Sequence, residues 1–238
     1  AAIVAFDGAS SRPGSTAGKS QLNQDVAYGL LARTALSKGD WQAAADNAIL
    51  ARQNYDIMGE EDWLSGFNTN DLPAVLWGSN VIGAETTFFR SYFYLASNTF
   101  NGSQIRNNPK IADRRLVDAI PATDDRGQVF IIDAPNTNTS AANGQGGFEN
   151  DPNYTDEDEF NARRAEINAT YGITTRFNQH PYMHFKLKNK NPGSIDPDDV
   201  IYMRSSEMYL IEAEAKAMLN DIAGAQEALR PLAEERDS

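Results

Sequence analysis

Residues Val200–Ser238 read VIYMRSSEMYLIEAEAKAMLNDIAGAQEALRPLAEERDS and predict two helices joined at Asn220-Asp221. In the first, Met208, Ile211, Ala215 and Leu219 recur at three- and four-residue spacing and draw an apolar stripe along one face. Glu207, Glu212 and Glu214 make the other face acidic, turned to water or to a neighbouring element. Asp221 suits the N-cap of the second helix, which is expected to bury Ile222, Ala225, Leu229 and Leu232. Pro231 inside that run is expected to kink or end it. Ala213, Ala215, Ala217, Ala223 and Ala225 let the two helices approach closely. The prediction is a helical hairpin.

The pattern recurs earlier. From Asp25 the chain reads DVAYGLLARTALSKGDWQAAADNAILARQNY. Placing Gly39-Asp40 over Asn220-Asp221 brings Tyr28 onto Tyr209, Ala32 onto Ala213 and Ala44 onto Ala225. Two helix-turn-helix units of roughly 34 residues, with Ala at the close-packing positions, resemble tetratricopeptide repeats. Such units do not bury their faces alone and need stacking partners. The alternative is two ordinary hairpins sharing an Ala-rich turn.

Composition narrows the function classes. The net charge of −12 argues against nucleic acid, whose phosphates need a positive surface, and against adsorption to anionic lipid. No apolar run approaches the length of a membrane span. The sequence has no cysteine, which excludes disulfides, a Cys-ligated metal, a thiol nucleophile and lipid attachment through Cys within this chain. An irregular lead-in without an initiator Met and a close just after an acidic helical turn read as part of something longer.

Between the hairpins the sequence reads mostly as loop. Ser10–Gly18 followed by Lys19 looks like a phosphate loop, but its glycine spacing fails and no apolar strand leads in. Ala74–Val81 is predicted as a short strand. Phe88, Phe89, Tyr92, Phe93, Tyr94 and Phe100 then crowd a short stretch beside Asn and Ser. Aromatic planes beside amides and guanidinium groups suit a carbohydrate, which stacks its CH faces and hydrogen-bonds its hydroxyls. Most aromatics pack cores instead, and the same is expected for most of these. Trp77, Arg90, Tyr92 and Asn98 are the candidate ligand residues.

Residues 106–127 predict a short amphipathic helix around Ile111, Leu116 and Val117, stopped by Pro121. Asp124, Asp125 and Arg126 follow as a structural ion pair or cap, since an acid–base pair for glycoside hydrolysis must flank a bond. Val129–Asp133 reads as a strand, and Ala134–Phe160 as a long low-complexity loop. Asp151, Asn153 and Thr155 alternate like calcium ligands, but the sixth position of that loop is Asp156 where an EF-hand needs Gly. A solvated acidic loop is the expectation there, with a calcium site as the alternative. His180 and His184 are four apart with Pro181 between them and no evident third ligand, so no metal site is expected. No Ser-His-Asp arrangement is readable. His184–Lys190 (HFKLKNK) reads as a strand with its charges outward.

DDVIYMRSSEMYLIEAEA from Asp198, with the LND turn at Leu219 and the Ala-rich helix after it, resembles the C-terminal signature of the SusD/RagB family. LLARTALSKGDWQAAADNA resembles that family's alanine-arginine helix and Gly-Asp-Trp turn. IADRRLVDAIPATDDR looks like the segment leading to its Asp-Arg turn, and HFKL like the short strand before the signature. Asn136–Phe160 matches nothing. The resemblance implies a mainly α-helical fold, with tetratricopeptide-like hairpins, long irregular loops and a few short strands. On that reading residues 1–238 form a single domain. Residues 25–55 and 200–238 are its hairpins and 56–199 its loop-rich ligand face.

The resemblance also implies a non-catalytic surface lipoprotein of the outer membrane, without a cofactor. Such a protein captures oligo- or polysaccharide, sometimes peptide, and passes it to a SusC-like TonB-dependent transporter. The hairpins are then the face that meets the transporter. Its membrane attachment would be a lipid anchor on a cysteine that this sequence lacks. Family ligand sites sit on variable loops, so no motif carries them onto Trp77, Arg90, Tyr92 or Asn98, which rest on local chemistry. Arg204 and Glu207, at i,i+3, are expected to pair structurally. A tetratricopeptide scaffold that binds only a protein is the alternative, and the excess of aromatic loop favours the binding module.

Overall fold

A computed structural model describes residues 16–84, 91–102, 106–139 and 146–237. In chain order its elements are α1 (Thr16–Lys19), α2 (Gln24–Lys38), α3 (Trp41–Arg52), α4 (Glu60–Leu64), β1 (Val75–Ser79), α5 (Tyr92–Ala96), α6 (Arg114–Asp118) and β2 (Phe130–Ile131). Then follow α7 (Glu157–Tyr171), β3 (Met183–His184), β4 (Val200–Arg204), α8 (Ser205–Met218) and α9 (Ile222–Glu234). The fold is mainly α. Its strands form two antiparallel pairs, β1 with β4 and β2 with β3. The chain divides into two compact units. One holds the described residues up to Asp62, Thr69–Asn80 and everything from Asp199; the other holds Trp63–Asn68 and the described residues of Val81–Asp198.

The first unit contains both hairpins, α2–α3 and α8–α9. Their turns are built alike. Gly39 and Asn220 both take the left-handed conformation, φ 74° and 62°. Asp40 N and Asp221 N each reach back, to Ala35 O and Lys216 O, at 2.9 Å. Asp40 and Asp221 then cap the following helices, accepting from Ala43 N and Gly224 N. The superposed alanines Ala32, Ala213, Ala44 and Ala225 are all buried. A core of small residues (Ala32, Ala44, Ala45, Ala48, Ala215) around Leu76, Met203, Met208 and Ile211 lets the backbones close. The approach is tight enough that a Cβ on Gly29 would come within 2.3 Å of the Met203 sulfur.

Two expectations change here. The second helix of the C-terminal hairpin buries Ala225 and Ala228, while Ile222 and Leu229 stay 56% and 41% exposed. Its packing face is set by the small residues, which permit the close approach, and the larger ones are turned away. Pro231 does not end that helix, which runs on to Glu234. The proline forfeits a single backbone bond near the C-terminal end, where the remaining turn is still closed by Glu235 N to Pro231 O at 3.3 Å. Glu207, whose charge also acts on Arg204, accepts from Arg33 Nε and Nη2 on α2 at 2.6 Å each. Lys19, the lysine of the phosphate-like lead-in, is buried and donates to Leu72 O at 2.8 Å, so it serves as a structural tie.

The second unit is built on two apolar clusters. One gathers Ala134, Ile167, Ile173, Phe177, Met183 and Phe185; the other Phe93, Tyr94 and Phe100, with Leu187 against them. Helix α7 begins inside the segment that reads as loop. Asp156 caps it by accepting from Asp158 N and Glu159 N, and Gly172 ends it at φ 62°. The strand expected at Val129–Asp133 shortens to Phe130–Ile131. That expected at His184–Lys190 ends at His184: Phe185 N still bonds Val129 O, its opposite in the β2–β3 register, but Lys188 N turns away to Gly66 O. Its lysines are not all outward: the Lys186 amine lies 5.7 Å from the Trp63 ring centroid and 5.5 Å from that of Phe67. Of the amphipathic residues predicted near Pro121, α6 buries only Val117. Asp124 caps the turn that follows and pairs with Arg126 at 2.6 Å, the structural role its sequence suggested.

Candidate functional site

Tyr92 opens α5 in the second unit. Ser91 caps this short helix, its Oγ accepting from Tyr94 N at 3.1 Å. Phe93 and Tyr94 turn into the core, which leaves Tyr92 47% exposed and resting edge-on against Phe93, centroids 5.6 Å apart. Leu95 is exposed on the same helix. The loop after it is locked from below. Ser97 Oγ and Thr99 Oγ1 both donate to Asn189 Oδ1, at 3.1 and 3.0 Å, and Asn189 Nδ2 donates to the buried Asp198 at 2.7 Å. Tyr92 is thus an exposed aromatic face on a rigid base, the arrangement that stacks a sugar ring at small entropic cost.

Asn98 is held differently. It is 2% exposed, its Nδ2 donates to Lys110 O and His184 O, and its Oδ1 accepts from Lys110 N. Those three bonds occupy the amide with backbone, so Asn98 shapes the loop and does not offer a group to a ligand. Trp77 belongs to the first unit, on β1. It is half-buried against the hairpin core, and its ring meets that of Tyr202 at 5.1 Å and 65°. Tyr202, which the sequence did not single out, is exposed beside it. Arg90 lies outside the described residues, as do Phe88 and Phe89 of the aromatic block. Phe93, Tyr94 and Phe100 are core residues, as expected of most of that block.

Helix α7 contributes two concave surfaces that sequence reading missed. One, of about 370 Å³, is lined by Asp133, Asn153, Tyr154, Arg163 and Glu166. Arg163 is pinned there, 2.7 Å from Asp133 on one side and 2.7 Å from Glu166 on the other. The hydrogen bond to Asp133 raises its pKa further above the usual arginine value. Tyr154 donates to the Asp133 carbonyl, and burial pushes its phenol up to about 12. The other, of about 510 Å³, runs along Asn161, Arg164 and Asn168 to Ile173, Thr174 and Thr175. A helix with Arg at two adjacent positions presents them about 100° apart, which is how one helix serves both surfaces.

Of the suspected calcium ligands, Asp151 is engaged within its own loop. Asp151 is buried, and its carboxylate accepts from Asn136 N, Asn153 N and Asn153 Nδ2. Among the described residues no group of three or more His, Asp or Glu side chains is placed to hold a metal ion. His180 Nδ1 lies 2.9 Å from Pro181 O. Burial, with Lys186 nearby, pulls the His184 imidazole below its ordinary pKa.

The sequence profile of the SusD family matches residues 52–236. Solved structures share the fold. A SusD-like carbohydrate-binding protein from Bacteroides vulgatus superposes with a TM-score of 0.62 at 21% identity, over 92% of this chain and 38% of its own. A SusD superfamily protein from Bacteroides thetaiotaomicron gives 0.59 at 16%, over 99% and 45%. Surface glycan-binding protein A from the same organism, in complex with laminarihexaose, gives 0.57 at 11%, over 94% and 49%. The chain therefore spans less than half the length of these structures. No curated protein matches the sequence.

Proposed function

This chain belongs to the SusD family, and on that premise we propose that it binds glycans at the outer-membrane surface without catalysis and delivers them to a SusC-like TonB-dependent transporter. The observation that carries the reading is Tyr92, an exposed aromatic ring on a base fixed by Ser91, Phe93 and the Asn189 network. The laminarihexaose complex of a protein with this fold supports a saccharide as ligand. Trp77 with Tyr202 supplies a second aromatic pair. Among the described residues no helix is long and apolar enough to cross a membrane. The test is affinity gel electrophoresis of the chain through a panel of soluble polysaccharides. Retardation by a glycan supports the reading, and uniform mobility through the panel counts against it.

Capture of a protein or peptide is the second reading. It is favoured by the apolar residues Leu219, Ile222 and Leu229, which the C-terminal hairpin leaves exposed. In the glycan reading the same surface is where the transporter docks. Co-purification with the transporter, lost on Ile222→Asp, is the expected outcome.

A further inference from the structure

Helix α7 carries two adjacent arginines in opposite electrostatic states. Arg163 is neutralised by Asp133 and Glu166. Arg164, among the described residues, forms no ion pair. The sequence explains the difference. One turn from Arg164 in either direction stand Phe160, Asn161, Ile167 and Asn168, none of them acidic, whereas Arg163 has Glu166 at i+3. Arg164 is also the single charged side chain among the described residues lining the 510 Å³ groove. A lone cation on a chain of net charge −12 is unusual enough to ask what it faces.

The groove is prepared around it. Arg164 Nη2 donates to Thr175 O at 2.8 Å, which fixes the plane of the guanidinium. The helix beneath is held by Gln179, fully buried, which donates to Arg164 O at 3.0 Å and to Asn168 Oδ1 at 2.9 Å. Gln179 Oε1 and Arg164 Nε are buried without a hydrogen-bond partner, Gln179 lying behind the residues that line the groove. Asn161, Asn168, Thr174 and Thr175 ring the arginine with amides and hydroxyls, over an apolar floor at Ile173. The cavity falls in the ligand-sized range of ~300–1,000 Å³.

We propose that this groove binds a carboxylate-bearing sugar unit, a uronate, with Arg164 as its anion anchor. The inference rests on the glycan-binding reading and narrows it to acidic saccharides at this place. A planar guanidinium takes a carboxylate through paired N–H donors, and the surrounding amides and hydroxyls match the ring hydroxyls. The chain's overall negative charge does not forbid this, because charges beyond ~8 Å are largely screened at physiological salt. The neighbouring surface at Arg163 makes the contrast: its two bound carboxylates leave it no attraction for an acid.

The experiment is a titration of the isotope-labelled chain with D-galacturonate and, separately, with D-galactose, which differ only in carboxylate against hydroxymethyl at C6. Concentrations should reach about ten times a millimolar Kd. The amide resonances of Ile173, Thr174 and Thr175 are the readout. Galacturonate is expected to move them saturably, galactose to leave them in place, and Arg164→Gln to abolish the shift while resonances elsewhere stay unchanged. Equal shifts with both sugars, no shift with galacturonate, or an undiminished shift in Arg164→Gln overturns the proposal. Each of those results leaves the polysaccharide gel free to succeed or fail on its own.

Discussion

Arg52 of the N-terminal hairpin donates to Glu212 of the C-terminal one, Nη2 to Oε2 at 2.6 Å, with the guanidinium 3.8 Å over the ring of Tyr209. Lys216 takes the other carboxylate oxygen at 2.6 Å. Glu212 is 3% exposed, so its charge is compensated by these contacts and not by water. Removing one partner of such a pair leaves an uncompensated charge. Glu212→Ala is expected to cost about 3–5 kcal/mol, read as a lower urea midpoint. Combining it with Arg52→Met is expected to cost less than the sum of the two.

The paired turns separate two kinds of left-handed residue. Gly39→Ala places a Cβ at φ 74° and is expected to cost about 1–2 kcal/mol. Asn220→Gly, at φ 62°, is expected to be neutral or to stabilise slightly. Thermal unfolding of the two variants side by side checks both signs.

Asn98→Ala is expected to lose about 1–3 kcal/mol, because it strands the backbone groups of Lys110 and His184 that the amide satisfies. A stability loss of that size with glycan retardation intact in the folded fraction fits its place in the structure. Full stability with lost binding contradicts it.

His184 supplies a pH dependence. Its folded pKa lies below the ordinary 6.5, because burial and Lys186 disfavour the cation. Below pH 6.5 the unfolded chain therefore binds the proton more readily, and stability falls as pH drops from there through the folded pKa. Above that range His184 contributes nothing. His184→Gln is expected to flatten the slope of stability between about pH 5 and 7.

The hairpins were legible because their signal repeats: Gly39-Asp40 and Asn220-Asp221 fix two identical turns, and the alanines mark the faces that meet. Helix α7 was not, since it buries only Phe160 and Ile167 and is polar elsewhere. Its readable marks were the cap at Asp156 and the stop at Gly172, hidden in a segment whose composition spoke for loop. The alternation of HFKLKNK misled because tertiary contacts, Phe185 under Tyr171 and Lys186 over Trp63, claim its residues individually. For the ligand face, local chemistry found an exposed Tyr92 but could not distinguish it from Asn98, whose amide is taken by residues distant in sequence. Arg164 was legible only in part: the sequence puts no acid one turn away on its helix, but that no distant described carboxylate pairs with it is seen only in the structure.

Affinity electrophoresis of Tyr92→Ala beside the unaltered chain tests the central claim most directly. Tyr92 is an exposed ring touching Phe93, so the substitution is expected to change stability by less than about 1.5 kcal/mol. The account predicts that a glycan retards the unaltered chain and that the folded variant runs ahead of it. Equal retardation of both would contradict Tyr92 as the binding platform, and no retardation of either by any glycan would contradict saccharide binding itself.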